Sequence, residues 1–201
     1  FNEAPMLKTL SDAGTIPPVA ERLPEKPLVI KPIEVGKYGG TAHVGNITTQ
    51  LAGYDCDFLI GSAYHHLRYN PELNDAVPNL SESVDVSEDK STYTLHLRKG
   101  LRWSDGEPVT SADVLFAYND LLLNKELTPN TPQDISPGGE PVAVTAIDDY
   151  TVELKFAVPH PRYYLSNLPH QYGTFQGKQL HPKHYLQQFH PTYNPKAEEE
   201  A

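Results

Sequence analysis

The chain has 201 residues with 16 basic and 26 acidic side chains, which gives a formal net charge of −10. This negative charge opposes the neutralisation of phosphates on which nucleic-acid binding depends, so a DNA- or RNA-binding role is disfavoured. Cys56 is the only cysteine, which excludes an internal disulfide and a zinc site of paired cysteines. No apolar stretch approaches the roughly 18 residues that a membrane span needs. The composition predicts a folded, soluble protein.

The first 37 residues are rich in proline. Their prolines include the pair Pro17-Pro18, and they exclude a long helix because proline removes a backbone donor and clashes with the preceding turn. We therefore expect an extended arm over residues 1–37 with at most one short helix, near residues 6–13. Gly39 and Gly40 then lead into residues 41–47, where apolar and polar side chains alternate as in a strand.

The middle of the chain shows sharper patterns. Residues 51–67 are interpreted as a loop with a short helix at 58–67. Val84 and Val86 alternate before a polar turn at residues 87–90, and Tyr93, Leu95 and Leu97 alternate after it, which predicts a hairpin with one buried face. Farther along the chain, a turn follows Trp103, which is predicted to be a core anchor.

A helix is predicted over residues 111–124. Thr110 is placed as its N-cap, and Asp113 three residues later resembles the acidic partner of a capping box. Residues 127–141 are rich in proline and glycine and are predicted to form a loop. Residues 142–156 predict a second hairpin that turns at Asp148-Asp149, and two short helical stretches, at 161–168 and 182–189, each start with proline.

No catalytic motif is visible. The chain has no glycine-rich phosphate loop, no nucleophile elbow and no paired metal-ligand motif. Two groups of histidines, His65-His66 and the set His181, His184 and His190, offer imidazoles to a metal, but surface or hydrogen-bonded histidines are the favoured interpretation. Cys56 lies between two aspartates, which should raise rather than lower its thiol pKa. We therefore predict no catalytic residue, no metal site and no required cofactor.

Several stretches of the sequence together carry a family resemblance. The stretches are 38–41 (YGGT), 77–83 (VPNLSES), 87–100 (SEDKSTYTLHLRKG), 103–114 (WSDGEPVTSADV) and 144–154 (VTAIDDYTVEL), together with 3–7 and 17–24 near the N-terminus. They resemble the family 5 extracellular solute-binding proteins, the peptide-type receptors of bacterial ABC importers. The resemblance implies an α/β fold: an incomplete, periplasmic-binding-protein-like type II lobe with β-hairpins, short helices and an extended N-terminal arm.

The resemblance also implies a function and a domain division. Residues 38–201 would form the N-terminal part of the first lobe of such a receptor, after the arm of residues 1–37. The intact protein would capture an oligopeptide or similar oligomer in the periplasm, or at the extracytoplasmic face of the membrane, and deliver it to ABC permease subunits. Because the second lobe is missing from the resemblance, we expect a domain fragment that binds ligand weakly or not at all alone.

Ligand contacts are expected from loops that leave the first strand and from a second aromatic loop. The residues expected to contact ligand are Asn46, Thr48, Tyr54, Asp55, Tyr172, Thr174 and Phe175. Aromatic rings give a large contact area for a peptide or a sugar at low entropic cost. The alternatives are an oligosaccharide receptor of the same family, a nickel or haem receptor that uses the histidines, and a small hydrolase, for which no nucleophile–base arrangement is present.

Overall fold

The computed structural model describes residues 2–39, 65–169 and 179–197. The chain divides into two compact units. Unit one comprises residues 1–62 and 99–108, and unit two comprises residues 63–98 and 109–201. The expected division into an arm of residues 1–37 and a lobe of residues 38–201 stays a prediction, and the strand expected at residues 41–47 lies outside the described residues.

Unit one begins with a proline-bounded arm. Helix α1 (Pro5–Asp12) coincides with the short helix expected near residues 6–13. The expectation of a single short helix is wrong, because a four-residue helix α2 (Val19–Arg22) follows Pro18, whose fixed φ leads the chain into a turn. Arg22 of α2 contacts the segment just before α1, since its Nη2 donates to both carboxylate oxygens of Glu3 at 2.5 Å.

The second stretch of unit one returns to the arm at a glycine. Gly100 has a φ of +81°, and a Cβ atom there would lie 3.1 Å from the backbone nitrogen of Glu25. A side chain at this position would therefore lie too close to the backbone of the arm, and it would also be strained by the positive φ. The Glu25 N–H donates to the Lys99 carbonyl at 3.0 Å. Trp103 follows in the predicted turn, but it is half-buried rather than a core anchor.

Unit two contains two antiparallel sheets. The strands of the small sheet are β1 (Leu67–Tyr69) and β2 (Ala76–Pro78), and those of the large sheet are β3 (Ser81–Val86), β4 (Thr92–Leu97), β5 (Ala143–Asp148) and β6 (Thr151–Lys155). The order in the large sheet is β3-β4-β6-β5. Both predicted hairpins are confirmed. The helix expected at 58–67 is wrong at its end, because Leu67 pairs with Pro78 in the small sheet.

One face of the large sheet carries the core of unit two. Val86 lies opposite Tyr93 and Val84 opposite Leu95, and Tyr93 in turn lies opposite Leu154, so these side chains share one face. Tyr93 and Leu95 have no exposed surface. Because a strand's side chains alternate between faces, the other face carries polar residues such as His96 and Glu153.

Short helices cover this core. They are α3 (Ser111–Leu115), a π-helix (Phe116–Leu122), α4 (Arg162–Ser166), α5 (Lys183–Leu186) and 3₁₀ turns at Gln133–Ile135, Pro137–Gly139 and Gln187–Phe189. The capping box at α3 is confirmed, and the Thr110 N–H donates to Asp113 Oδ2 at 2.8 Å. The predicted loop at 127–141 contains the first two 3₁₀ turns.

The helix expected at 111–124 is not a regular α-helix. From Phe116 onwards it is a π-helix, which ends at Leu122, and the Leu123 N–H donates to the Tyr118 carbonyl five residues earlier at 2.8 Å. Val114, Tyr118 and Leu122 are buried. These residues are four apart, and all three belong to the core of unit two.

Candidate functional site

All of the residues expected to contact ligand lie outside the described residues. They are Asn46, Thr48, Tyr54 and Asp55 in the first stretch, and Tyr172, Thr174 and Phe175 in the second. The described structure begins again at His65 and at Gln179, directly after these stretches. The surroundings of these two re-entry points are therefore the described part of the molecule that bears most closely on the expected site.

Both re-entry points lie in one buried polar cluster of unit two. The Leu67 N–H donates to the Leu168 carbonyl at 3.1 Å, and Gln179 Nε2 donates to the Asn167 carbonyl at 3.0 Å. The chain just after His65, the chain before residue 170 and the chain at Gln179 are therefore neighbours. Gln179 is buried at 5% exposure, so hydrogen bonds inside the unit, rather than solvent, determine where these backbones run.

His66 is the most buried polar side chain of this cluster after Ser81, its hydrogen-bonding partner. Its ring is 1% exposed, and Nδ1 lies 3.0 Å from Ser81 Oγ. Burial, the largest cause, and the neighbouring His65 both lower the pKa of His66, and a hydrogen bond with the main chain of Gln179 raises it; together they bring the pKa to about 4. The imidazole is therefore neutral at ordinary pH, because a charge there would lose its hydration.

Asn79 and Arg98 complete the cluster. Asn79 Nδ2 donates to the His65 carbonyl at 2.8 Å, and the Arg98 guanidinium donates to the Asn79 carbonyl through Nε and Nη2 at 3.3 and 3.2 Å. The Ser81 N–H donates to the His66 carbonyl at 3.0 Å. Sequence reasoning missed this cluster. In the sequence, Asn79, Ser81 and Arg98 are recognisable only as members of the family motif. No local pattern of residues shows which distant carbonyl a side chain will reach.

In the second histidine group, His190 is hydrogen-bonded to other parts of the protein. His190 is 4% exposed, its Nδ1 accepts from the Thr192 N–H at 3.2 Å, and its Nε2 lies 3.0 Å from the Asp120 carbonyl in the π-helix. Within residues 2–39, 65–169 and 179–197, no three His, Cys, Asp or Glu side chains are grouped so as to hold a metal ion.

Residues of the sequence motif serve the fold. Asp113 is 3% exposed, and besides capping α3 it accepts the Lys183 N–H at 2.9 Å, which ties α5 to α3. Leu95 lies in the core and Gly106, with a φ of +96°, makes the turn after Trp103. The cluster and these residues together hold backbone in place.

Comparison with known proteins gives a consistent set of matches. Residues 75–198 match the family model described as bacterial extracellular solute-binding proteins, family 5, middle region. A periplasmic alpha-galactoside-binding protein of Rhizobium meliloti (strain 1021) is 34% identical over 199 residues, which covers 90% of this chain and 28% of that protein.

Two solved structures are similar over nearly the whole chain. An oligopeptide-binding protein OppA has a TM-score of 0.81 at 38% identity, covering 100% of this chain and 30% of that one. The periplasmic binding protein MelB of Agrobacterium fabrum C58, in complex with stachyose, has a TM-score of 0.69 at 32% identity, covering 94% and 30%. The chain spans under a third of the length of these relatives. Across its described residues, no helix has the length and apolarity of a membrane span.

Proposed function

Because the chain belongs to the bacterial extracellular solute-binding proteins of family 5, we propose that it is part of an ABC-importer receptor that captures an oligomeric solute and passes it to permease subunits. Proteins of this family are periplasmic or extracellular, and the chain shares that location. Its fold is the type II periplasmic-binding-protein fold that the sequence predicted. The relatives it matches are binding proteins rather than enzymes.

An oligosaccharide is the first proposed ligand. Two relatives that extend over at least nine-tenths of this chain are an alpha-galactoside-binding protein and a stachyose complex. By contrast, the oligopeptide-binding protein OppA of Escherichia coli (strain K12) matches 43% of the chain. An amide, hydroxyls and aromatic rings, as in Asn46, Thr48 and Tyr172, suit sugar hydroxyls and sugar faces.

An oligopeptide, expected from the sequence, is the second candidate. The observation in its favour is the similarity to the solved OppA structure, which covers the whole chain at 38% identity. Asp55 would then pair with a peptide amino group, and Tyr54 and Phe175 would contact its side chains. The two candidates draw on different members of one set of expected contact residues, so the ligand class has to be decided by direct competition.

Calorimetry on the full-length receptor tests the proposal. We expect saturable binding of stachyose and no heat from tetra-alanine at the same concentration; the reverse result would favour the oligopeptide, and no binding of either would contradict both. Tyr54→Ala and Tyr172→Ala should each weaken binding at least tenfold, because they remove aromatic contact area. Tyr185→Ala, at a side chain that is 53% exposed, is the matched control.

The 201-residue chain itself provides a second test. A ligand that is enclosed between two lobes loses contact area and shielding from water when one lobe is absent. We therefore propose that this chain alone binds the preferred solute far more weakly than the full-length receptor does. Equal affinities of the two proteins in the same calorimetric titration would show that the site is complete within these residues.

A further inference from the structure

A cavity of about 300 Å³ opens between strand β3 of the large sheet and α4 in unit two. Its lining residues come from β3, from the β3–β4 turn, from β4, and from α4 with the proline that precedes it. They are Val84, Val86, Lys90, Tyr93, Pro161, Tyr164 and Leu165. This volume lies at the small end of the range of ligand pockets, about 300–1,000 Å³, so the cavity suits one short chain rather than a bulky ring system.

Most of the side chains that line this cavity are aliphatic or aromatic. Val84 and Val86 lie on β3, which pairs with β4 alone among the described strands. Both side chains are half-buried. Tyr93 is fully buried at the floor, and Leu165 is 44% exposed at the rim. Hydrocarbon that enters between these side chains leaves water, which is favourable by about 25 cal/mol per Å².

The two phenol groups of the cavity are already committed to the protein. Tyr93 Oη donates to the His160 carbonyl at 2.8 Å, and Tyr164 Oη donates to the Ala76 carbonyl at 3.1 Å. Both groups are thus used in holding the main chain. Among the lining side chains, Lys90 is therefore the remaining polar group that can meet a ligand.

Lys90 is held at the mouth of the cavity by its backbone. Its φ is +60°, in the left-handed region that residues other than glycine seldom adopt. Its N–H donates to the Ser87 carbonyl at 3.0 Å, and its carbonyl accepts the His160 N–H at 2.9 Å. These two bonds join the turn to the segment that leads into α4, and they fix where the lysine side chain starts.

The neighbouring carboxylate is directed elsewhere. Asp89 accepts the Ser87 hydroxyl at 2.6 Å and the Ser91 hydroxyl at 2.9 Å, and these bonds lower the pKa of Asp89. Lys90 makes no ion pair within the part of the chain that the structure describes. The cavity thus combines walls of mainly aliphatic and aromatic side chains with a lysine that forms no ion pair among the described residues, an arrangement that complements an amphipathic anion.

We propose that this cavity binds a medium-chain carboxylic acid, with the alkyl chain between Val84, Val86 and Leu165 and the carboxylate paired with Lys90 Nζ. The site goes beyond solute capture by the receptor and does not depend on the solute being a sugar or a peptide. Octanoate is the probe. Its uncharged counterpart 1-octanol keeps the chain and removes the charge, so the pair separates the two parts of the proposed recognition.

Calorimetry or ligand-observed NMR on the 201-residue chain tests the proposal. We expect octanoate to bind saturably, with affinity rising about fourfold per methylene from hexanoate to octanoate. Lys90→Met should weaken octanoate about fivefold, as expected for a partly exposed ion pair, and should leave 1-octanol unchanged. Lys155→Met is the matched control, because Lys155 is exposed on β6 and lies opposite Thr92, on the other face of the sheet.

A filled cavity supplies an independent readout. Val84→Phe should reduce octanoate binding at least tenfold while the chain keeps its melting temperature within a few degrees, since Val84 is only half-buried. If that variant fails to fold, the Lys90→Met comparison still decides. The proposal is overturned if octanoate shows no saturable binding, or if Lys90→Met binds octanoate as well as the unchanged chain does.

Discussion

The arm of unit one and the large sheet of unit two are stabilised in opposite ways. Neither α1 nor α2 contains a buried residue, and apolar side chains later in the arm, such as Val29, Ile33 and Val35, are largely exposed. In the sheet, Tyr93, Leu95, Val152 and Leu154 have no exposed surface. The difference shows that secondary structure in this chain is stabilised in two ways. In the arm it depends on proline and local ion pairs, and in the sheet it depends on hydrophobic burial.

Truncation of a sheet core residue should have the largest effect on stability. Leu95→Ala leaves a cavity at a fully buried position in β4 and should lower the free energy of unfolding by about 2–5 kcal/mol in urea denaturation followed by circular dichroism. Met6→Ala in α1, at 78% exposure, should change it by less than about 0.5 kcal/mol. Similar effects at the two positions would show that the arm is packed as tightly as the sheet.

The buried imidazole of unit two should make stability depend on pH. The pKa of His66 is about 4 in the folded chain, against about 6.5 when unfolded. Above pH 6.5 the ring is neutral in both states, but as pH falls towards 4 the unfolded chain takes up the proton first. The free energy of unfolding should therefore fall by up to about 3 kcal/mol across that window.

His66→Asn tests this assignment, because asparagine can keep a bond to Ser81 but does not titrate. Denaturation curves at several pH values between 4 and 7 should lose most of the slope that His66 contributes. Thr192→Asn, at an exposed side chain without an ionisable group, is the control and should keep the slope of the unchanged chain. An unchanged slope in His66→Asn would contradict a buried neutral ring.

A smaller effect is expected at the buried tyrosine pair. The Tyr118 and Tyr163 hydroxyls lie 2.6 Å apart, both side chains are fully buried, and burial is the main cause that raises the pKa of each phenol. Tyr163→Phe should cost about 1–3 kcal/mol, because the Tyr118 hydroxyl loses its partner. Replacing both by phenylalanine should cost less than the sum of the single changes. Strict additivity in thermal denaturation would show that the two hydroxyls do not interact.

The smallest effect is expected at a helix start. Thr110→Ala removes one half of the capping box of α3 and should lower the free energy of unfolding by about 1 kcal/mol. In α1 the corresponding position is Ala4, which offers no side-chain cap. Thr192→Ala, at an exposed threonine whose main-chain N–H makes the bond, should change stability little. A Thr110→Ala chain as stable as that control would contradict the cap.

The parts of the fold that could be predicted from the sequence are those with local causes. The alternation of apolar and polar residues around Tyr93 and Leu95 follows from a strand with one buried face. Thr110 and Asp113 form the capping box of α3 within a single helical turn. The π-helix could not be predicted, because apolar residues four apart, such as Val114 and Tyr118, are equally typical of an ordinary α-helix. Helix α2 was missed because proline marks a break in a helix more clearly than the start of a short one.

The candidate site was predictable to a lesser degree. The expected ligand contacts came from the family resemblance, and they stay predictions. The cluster of His66, Asn79, Arg98 and Gln179 joins segments that are far apart in the sequence, so no window of residues contains its pattern. The cavity at Lys90 depends on a positive φ at a lysine, a position where turn rules favour glycine.

The hydrogen bond between Glu25 and Lys99 has a consequence for synthesis. Unit one is assembled from residues 1–62 and 99–108. When the ribosome has synthesised only the first of these stretches, Lys99 and Gly100, which contact the arm at Glu25, have not yet been made. The β3–β4 hairpin of unit two is synthesised between these two stretches, and its strands pair with each other. Nascent chains should therefore form that hairpin before the arm is secured, and a protease should cut the arm until Gly100 has left the exit tunnel.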